Sequence, residues 1–144
     1  SKEEARETIL TYLPYVDFLL AGREELEIIF DSSEDHELIH SLHQFNFESV
    51  VMKDGGNGSY ALVNGAWKHA PGFRVEKVVD TVGAGDGFNA GFLYSTLQGW
   101  PIEKSLEFAN AIGAMVVQVR GDNEGLPYLE EVNRFLGVEE TIER

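Results

Sequence analysis

With 144 residues, 43% of them apolar, the chain can bury a core as one domain without covalent staples. It has no cysteine, which excludes a disulfide framework and a thiolate metal site and fits a reducing, cytoplasmic setting. A net charge of −14 with no basic stripe argues against nucleic acid as a partner, and no apolar run or leader pattern argues for a membrane.

The first expected helix covers residues 2–13, where Ala5, Ile9, Leu10 and Leu13 recur at helical spacing before Pro14 stops it. Residues 16–21 are a short apolar run, expected as a buried strand. Gly22 turns the chain into a helix over 23–30, with Leu26, Ile29 and Phe30 apolar, and Asp31-Ser32-Ser33 breaks it. Ser33 is placed to cap the next helix, 34–44, whose inner face is Leu38, Ile39 and Leu42. His36, His40 and His43 share helical spacing there. The run His36-Glu37-Leu38-Ile39-His40 has the His-Glu-x-x-His form, but no cysteine or supporting partner accompanies it, so they read as a solvent face. Val50-Val51-Met52 is the next strand, and residues 54–58 form a turn-rich loop of hairpin type. Strands at 60–63 and around Trp67 flank the hairpin turn Asn64-Gly65.

Val78-Val79 is expected to lead as a strand into a glycine-rich turn and then a helix with Phe88, Phe92, Leu93 and Leu97 on one face. Pro101 starts another helix at its first position, carrying Ile102, Leu106, Ala109, Ile112, Gly113 and Val116, and Gly121 ends it. Pro127 opens a last helix with Leu129, Val132 and Phe135, and the acidic tail from residue 138 is expected to fray. Strands alternating with helices make an α/β layer fold whose mostly parallel sheet is mixed by a central hairpin.

Ligands of such sheets bind beyond the carboxyl ends of the strands. That is the position this reading gives to the turn Asp80-Thr81-Val82-Gly83-Ala84-Gly85-Asp86-Gly87-Phe88. Gly83 and Gly85 can take positive φ and let a ligand approach the backbone. The helix start adds orphan N–H groups and the positive end of the dipole, so the turn is an anion site. Asp86 sits inside it. A base that takes a hydroxyl proton as a phosphoryl group arrives would explain a carboxylate there. On spacing alone a second reading stands beside it: a tight turn, with Asp86 compensating the helix dipole.

The turn and its continuation Asn89-Ala90-Gly91-Phe92 resemble the signature of ribokinase-like (PfkB) sugar kinases, and the P-loop pattern Gly-x-x-x-x-Gly-Lys-Ser/Thr is absent. Three further stretches resemble the same family in the same order, so the resemblance spans roughly residues 14–136. Val50-Val51-Met52-Lys53-Asp54-Gly55-Gly56-Asn57-Gly58-Ser59 is similar to the family's strand and loop along the nucleotide. There Lys53 would offer a cation, and Gly55 and Gly58 close approach. Alone, that stretch reads better as a plain hairpin with a solvated lysine. Asn110-Ala111-Ile112-Gly113-Ala114 matches the helix that borders the adenine, with Asn110 as the contact. Helix packing is the alternative for its small residues. Val119-Arg120-Gly121-Asp122-Asn123-Glu124-Gly125-Leu126-Pro127 resembles the closing loop. In many members that loop and the turn bind a monovalent cation through main-chain oxygens. By position these would be Asp80, Val82, Val116, Val119, Gly121 and Gly125; oxygen donors suit a hard cation such as K⁺, and a Gly- and Pro-punctuated loop with no ion is the alternative. The family often carries Asn-x-x-Glu after a strand. Here Gly22-Arg23-Glu24-Glu25 keeps the acid, so the resemblance makes Glu25 a holder of hydrated Mg²⁺, with Gly22 in place of the Asn.

The resemblance implies a ribokinase-like three-layer α/β/α sandwich. Family members are about twice this length, so residues 1–144 would be the C-terminal, nucleotide-binding part only. Whether cloning, proteolysis or the gene sets that length is left open. The implied activity is ATP- and Mg²⁺-dependent phosphorylation of a sugar or sugar acid. Asp86 would be the base, and the N–H groups of Gly83, Ala84 and Gly85 would stabilise the transferring phosphoryl. The closing loop is most like that of 2-keto-3-deoxygluconate kinases. Fructokinase- or ribokinase-type activity, or a non-catalytic nucleotide-binding or oligomerisation fragment, are the alternatives. The expected partners are the sugar, ATP and a second copy of the chain, with neither nucleic acid nor membrane.

Overall fold

Ser1 caps the first helix: its Oγ accepts from the Glu4 N–H at 3.2 Å and starts α1 (Lys2–Tyr12), after which Leu13–Tyr15 tightens into a single 3-10 turn at Pro14. The computed structural model describes residues 1–121 and 123–137. The acidic tail from residue 138 and Asp122 of the closing loop lie outside the described residues. α1 buries none of its own side chains. Leu13 is its inward anchor, and Arg6 Nε donates to the Ile29 carbonyl at 2.9 Å.

The described residues form two units, Ser1–Gly55 with Ser59–His69, and Gly56–Gly58 with the chain from Ala70. In the first, β1 (Phe18–Gly22) leads directly into α2 (Arg23–Phe30), which Asp31 ends in the left-handed region at φ 52°. α3 (Asp35–Leu42) follows, and β2 (Ser49–Lys53) then pairs parallel with β1, Leu20 opposite Val51. The two helices supply the crossover that a parallel pair needs. β3 (Ser59–Val63) pairs antiparallel with β2, and β4 (Ala66–Ala70) lies beyond it, giving the order β1-β2-β3-β4. Asn64 and Gly65 both take positive φ, 50° and 79°, as a two-residue hairpin turn of the primed type requires. The core joins Ala21, Leu26, Leu38 and Met52, with Tyr60 and Trp67 packed on it.

Three expectations for this unit need correction. The first strand starts two residues later than the apolar run, at Phe18. Ser33 does not cap α3: Glu34 is the cap residue, and the Ser32 hydroxyl accepts its N–H at 3.1 Å. The sheet is less parallel than expected: among the described residues β1 and β2 pair parallel, and β2 and β3 antiparallel. His36, His40 and His43 are exposed, as a solvent face should be.

In the second unit α4 (Ala84–Leu97) packs along α5 (Ile102–Val116), and α6 (Leu129–Phe135) closes over α5. The buried face of α4 is not the expected apolar stripe. Phe88 and Phe92 are buried, but Leu93 and Leu97 are 44% and 85% exposed. The contact runs instead through Gly87 and Gly91. A Cβ on Gly91 would stand 2.5 Å from Ile112 Cδ1 and 3.3 Å from Ala109 Cα, so glycine sets the helix spacing. The core here is Phe108, Ala111, Ile112, Val116 and Val132.

Element ends also moved. Pro101 caps α5 rather than occupying its first turn, and Val117, not Gly121, ends it. Pro127 precedes α6 by two residues, with Tyr128 as its cap. No strand runs through Val78-Val79. Both are exposed, and the N–H groups of Val79 and Asp80 instead donate to the Val117 carbonyl at 2.7 and 3.2 Å. The glycine-rich turn therefore joins a loop to a helix.

Candidate functional site

Gly83 is the N-cap of α4 and adopts φ 78°, a conformation that costs an L-residue about 1–2 kcal/mol. Gly85 lies within the helix, so its lack of a side chain is not a conformational need. The Ala84 N–H turns back to the Thr81 carbonyl at 3.3 Å, which corrects its expected place among donors open to a ligand. The N–H groups of Gly85 and Asp86 fall in the first turn, where a helix supplies no acceptor of its own. Asp86 is exposed at that end. Gly113 of α5 lies across from the turn, its Cβ position 3.7 Å from the Ala84 carbonyl.

Asp80 was expected to contribute a main-chain oxygen. Its side chain has a separate task. Oδ1 accepts from the Val82 N–H at 3.0 Å and Oδ2 from the Gly121 N–H at 3.4 Å, which ties the turn to the closing loop. The Val82 N–H, then that of Gly121, hold this carboxyl below its usual range; partial burial opposes them, and the Thr81 N–H and Arg120 add to the lowering. A depressed folded pKa contributes stability that is present above the unfolded value of 3.8 and is lost as pH falls through the folded one. Asp80→Ala is therefore expected to lower Tm at neutral pH and to flatten the acid limb below about pH 4. Thermal melts across pH check this, and an unchanged acid limb would remove the carboxylate from the account.

The same ties gather the six main-chain positions proposed for a cation. Residues 79 and 80 bond Val117, Asp80 bonds Gly121, and a Cβ on Gly125 would stand 3.1 Å from the Val116 carbonyl. The Val119 N–H donates to that carbonyl at 3.1 Å. Gly121 takes φ 117°, which suits glycine alone. Among the described residues no group of three or more His, Asp or Glu side chains is placed to hold a metal.

Gly58 and Asn110 belong to this unit too, and each has a structural task. Gly58 has φ 97°, and a Cβ on it would fall 2.1 Å from the Ala70 carbonyl. Gly72 repeats the constraint in reverse, its Cβ position 2.3 Å from the Gly56 carbonyl. Asn110 is buried, and its Nδ2 donates to the carbonyls of Ala70 and Pro71 at 3.1 and 3.2 Å. The expected adenine contact thus holds α5 to residues 70–72, a strap that the reading of the sequence missed. Pro71-Gly72 was the available signal.

The first unit holds Glu25, Lys53 and Gly55. Glu25 Oε2 accepts the Gly22 N–H at 2.7 Å as the reciprocal half of a capping box. Its other oxygen and its exposure leave it compatible with the water shell of Mg²⁺. Lys53 ends β2 opposite Ser59 and Gly22. Gly55 takes φ 50°, and a Cβ there would meet nothing within 4 Å.

The chain is similar to several known proteins. The 2-dehydro-3-deoxygluconokinase of Bacillus subtilis is 41% identical over 93 residues, 65% of this chain and 29% of that protein. The 5-dehydro-2-deoxygluconokinase of Halalkalibacterium halodurans is 30% identical over 129 residues, 88% of this chain and 39% of that one. An E. coli protein assigned as ribokinase II, solved with ATP and Mg²⁺, matches with a TM-score of 0.86 and 26% identity over 96% of this chain and 46% of its own. The chain thus spans less than half the length of each of these proteins. Its fold is ribokinase-like. The pfkB family carbohydrate kinase pattern matches residues 1–129, and the chain belongs to that family.

Proposed function

We propose that this chain is the nucleotide-binding portion of a kinase that transfers the terminal phosphoryl group of ATP to a hydroxyl of a sugar acid, 2-keto-3-deoxygluconate in the first instance. The observation that carries the proposal is the left-handed Gly83 cap opening α4, with Asp86 exposed in the first turn behind it. The first-turn N–H groups of Gly85 and Asp86 would bind the polyphosphate and, as charge builds on the transferring oxygens, stabilise it without reorganising. The Asp86 carboxylate would take the proton of the attacking hydroxyl. Mg²⁺, when bound, neutralises phosphate charge, and Glu25 would hold its water shell. Lys53 would add a local cation. K⁺ on the carbonyls around Asp80 and Gly125 would fix the turn's geometry. The name of the Bacillus subtilis relative supports the sugar-acid assignment, as does Gly-Asp-Asn-Glu-Gly in the closing loop. The Halalkalibacterium halodurans relative, matched over more of the chain, supports 5-dehydro-2-deoxygluconate as a second reading.

The test is a coupled phosphorylation assay on a full-length enzyme carrying this segment, offered both sugar acids, fructose and ribose. The highest kcat/KM is expected for 2-keto-3-deoxygluconate, and a preference for fructose or ribose would overturn the substrate. The 144-residue chain by itself is expected to bind Mg·ATP weakly, to self-associate, and to turn over no sugar. Light scattering and the same assay check this. A fully active monomer would overturn the assignment to part of a site.

A further inference from the structure

Arg23, the first residue of α2, has no place in the chemistry above, yet three carboxylates meet at it. Its Nη1 lies 3.0 Å from Asp35 Oδ1 and 3.9 Å from Glu27 Oε1, and its Nε lies 3.5 Å from Asp54 Oδ2. The guanidinium carbon stands 5.6 Å from the centre of the Tyr60 ring, which stacks on His69 at 4.4 Å. The side chain is 24% exposed, so water screens these contacts only in part. Burial works against its charge, while Asp35 and Asp54 more than restore it.

The placement gives the cluster a meaning beyond stability. Gly22 and Lys53 are opposite one another in the parallel pair. Arg23 and Asp54 are therefore the next residue past the carboxyl end of each strand, where α/β sheets take ligands. Asp54 also opens the loop 54–58. A carboxylate at the head of a loop that lies along a nucleotide opposes the ligand's charge unless a cation is fixed on it. We infer that Arg23 is a positioning residue for that loop: its pairing with Asp54 sets where residues 54–58 leave β2 and neutralises the carboxylate nearest them. This rests on the reading of the loop as nucleotide-binding. The guanidinium fork is suited to the task because it can hold Asp35 and Asp54 at once from different nitrogens.

The test titrates Mg·ATP into the chain by calorimetry and follows amide exchange of residues 55–58 without nucleotide. Arg23→Met is expected to weaken binding about 2–5-fold, the range of a partly screened charge pair, and to speed exchange in the loop. Asp54→Asn removes the opposing charge along with the tie, so it should speed loop exchange as Arg23→Met does yet bind no more weakly than wild type. Adding it to Arg23→Met should recover most of the lost affinity, a coupling that a double-mutant cycle reads directly. Asp35→Asn is expected to lower Tm while leaving affinity and loop exchange unchanged. Unchanged binding in Arg23→Met, or equal losses in Arg23→Met and Asp35→Asn, would reduce Arg23 to a structural tie and overturn the inference. If wild type itself binds no Mg·ATP, the nucleotide reading fails. The exchange measurement then decides alone whether Arg23 positions the loop.

Discussion

Asp86→Asn, in a full-length enzyme carrying this segment, is expected to cut turnover by about 10²–10⁴-fold, the usual share of a positioned general base. That range corresponds to about 2.7–5.4 kcal/mol of transition-state stabilisation. The sign on ATP affinity is opposite. Asp86 lies in the first turn of α4, among N–H groups that favour an anion. Its own charge competes with the phosphates for them, so the amide should bind ATP as well as wild type or better. The pairing of slow turnover with intact binding is the signature. A dipole-compensating aspartate would give another pattern: near-normal turnover and a small loss of helix stability, about 0.3–1 kcal/mol. Steady-state kinetics with a nucleotide titration separate the two, and near-normal turnover would falsify the base assignment.

How much of this was legible differed with the range of the interaction. α2 was expected over 23–30 and lies at Arg23–Phe30, because its signals are local: Glu25 three residues past the Gly22 cap, and a left-handed Asp31 at its end. The Asn64-Gly65 turn was legible for the same reason. The buried face of α4 was not. Periodicity counts apolar side chains, and it assigned Leu93 and Leu97 to the core. The true interface uses Gly87 and Gly91, residues that hydropathy scores as featureless but that let Ile112 and Val116 come close. Val78-Val79 misled in the same way, since β-branched residues also suit an extended segment held by the end of a helix. At the site, the motif identified the important positions but not why each residue type is there. Gly83 needs its glycine for φ, Gly58 for the backbone against it, and Asn110 its amide for the strap at 70–72. Those causes lie 12 to 40 residues away along the chain for Gly58 and Asn110, beyond the reach of any local window.

Three glycines of one loop put that distinction to the sharpest measurement. Gly58→Ala is expected to cost roughly 2–5 kcal/mol, the sum of overpacking and a forbidden φ. Its Cβ would lie 2.1 Å from the Ala70 carbonyl, 2.5 Å from the Gly72 nitrogen and 2.6 Å from the Pro71 carbonyl carbon. All three are backbone atoms, so no rotamer change relieves the clash. Moving residues 70–72 also strains the two hydrogen bonds that Asn110 makes to them, and leaves a buried amide short of partners. Gly55→Ala should cost about 1–2 kcal/mol, from its φ of 50° alone, because nothing stands within 4 Å of the new atom. Gly56→Ala has neither problem: it has open space and no positive φ, and should be neutral or slightly stabilising through the unfolded chain. Chemical denaturation of the three variants gives the order directly. If the loop's glycines serve only the approach of a nucleotide, all three variants would fold alike and differ only in Mg·ATP affinity. If residues 70–72 are what the loop is built against, Gly58→Ala alone falls far in stability, and Asn110→Ala falls with it.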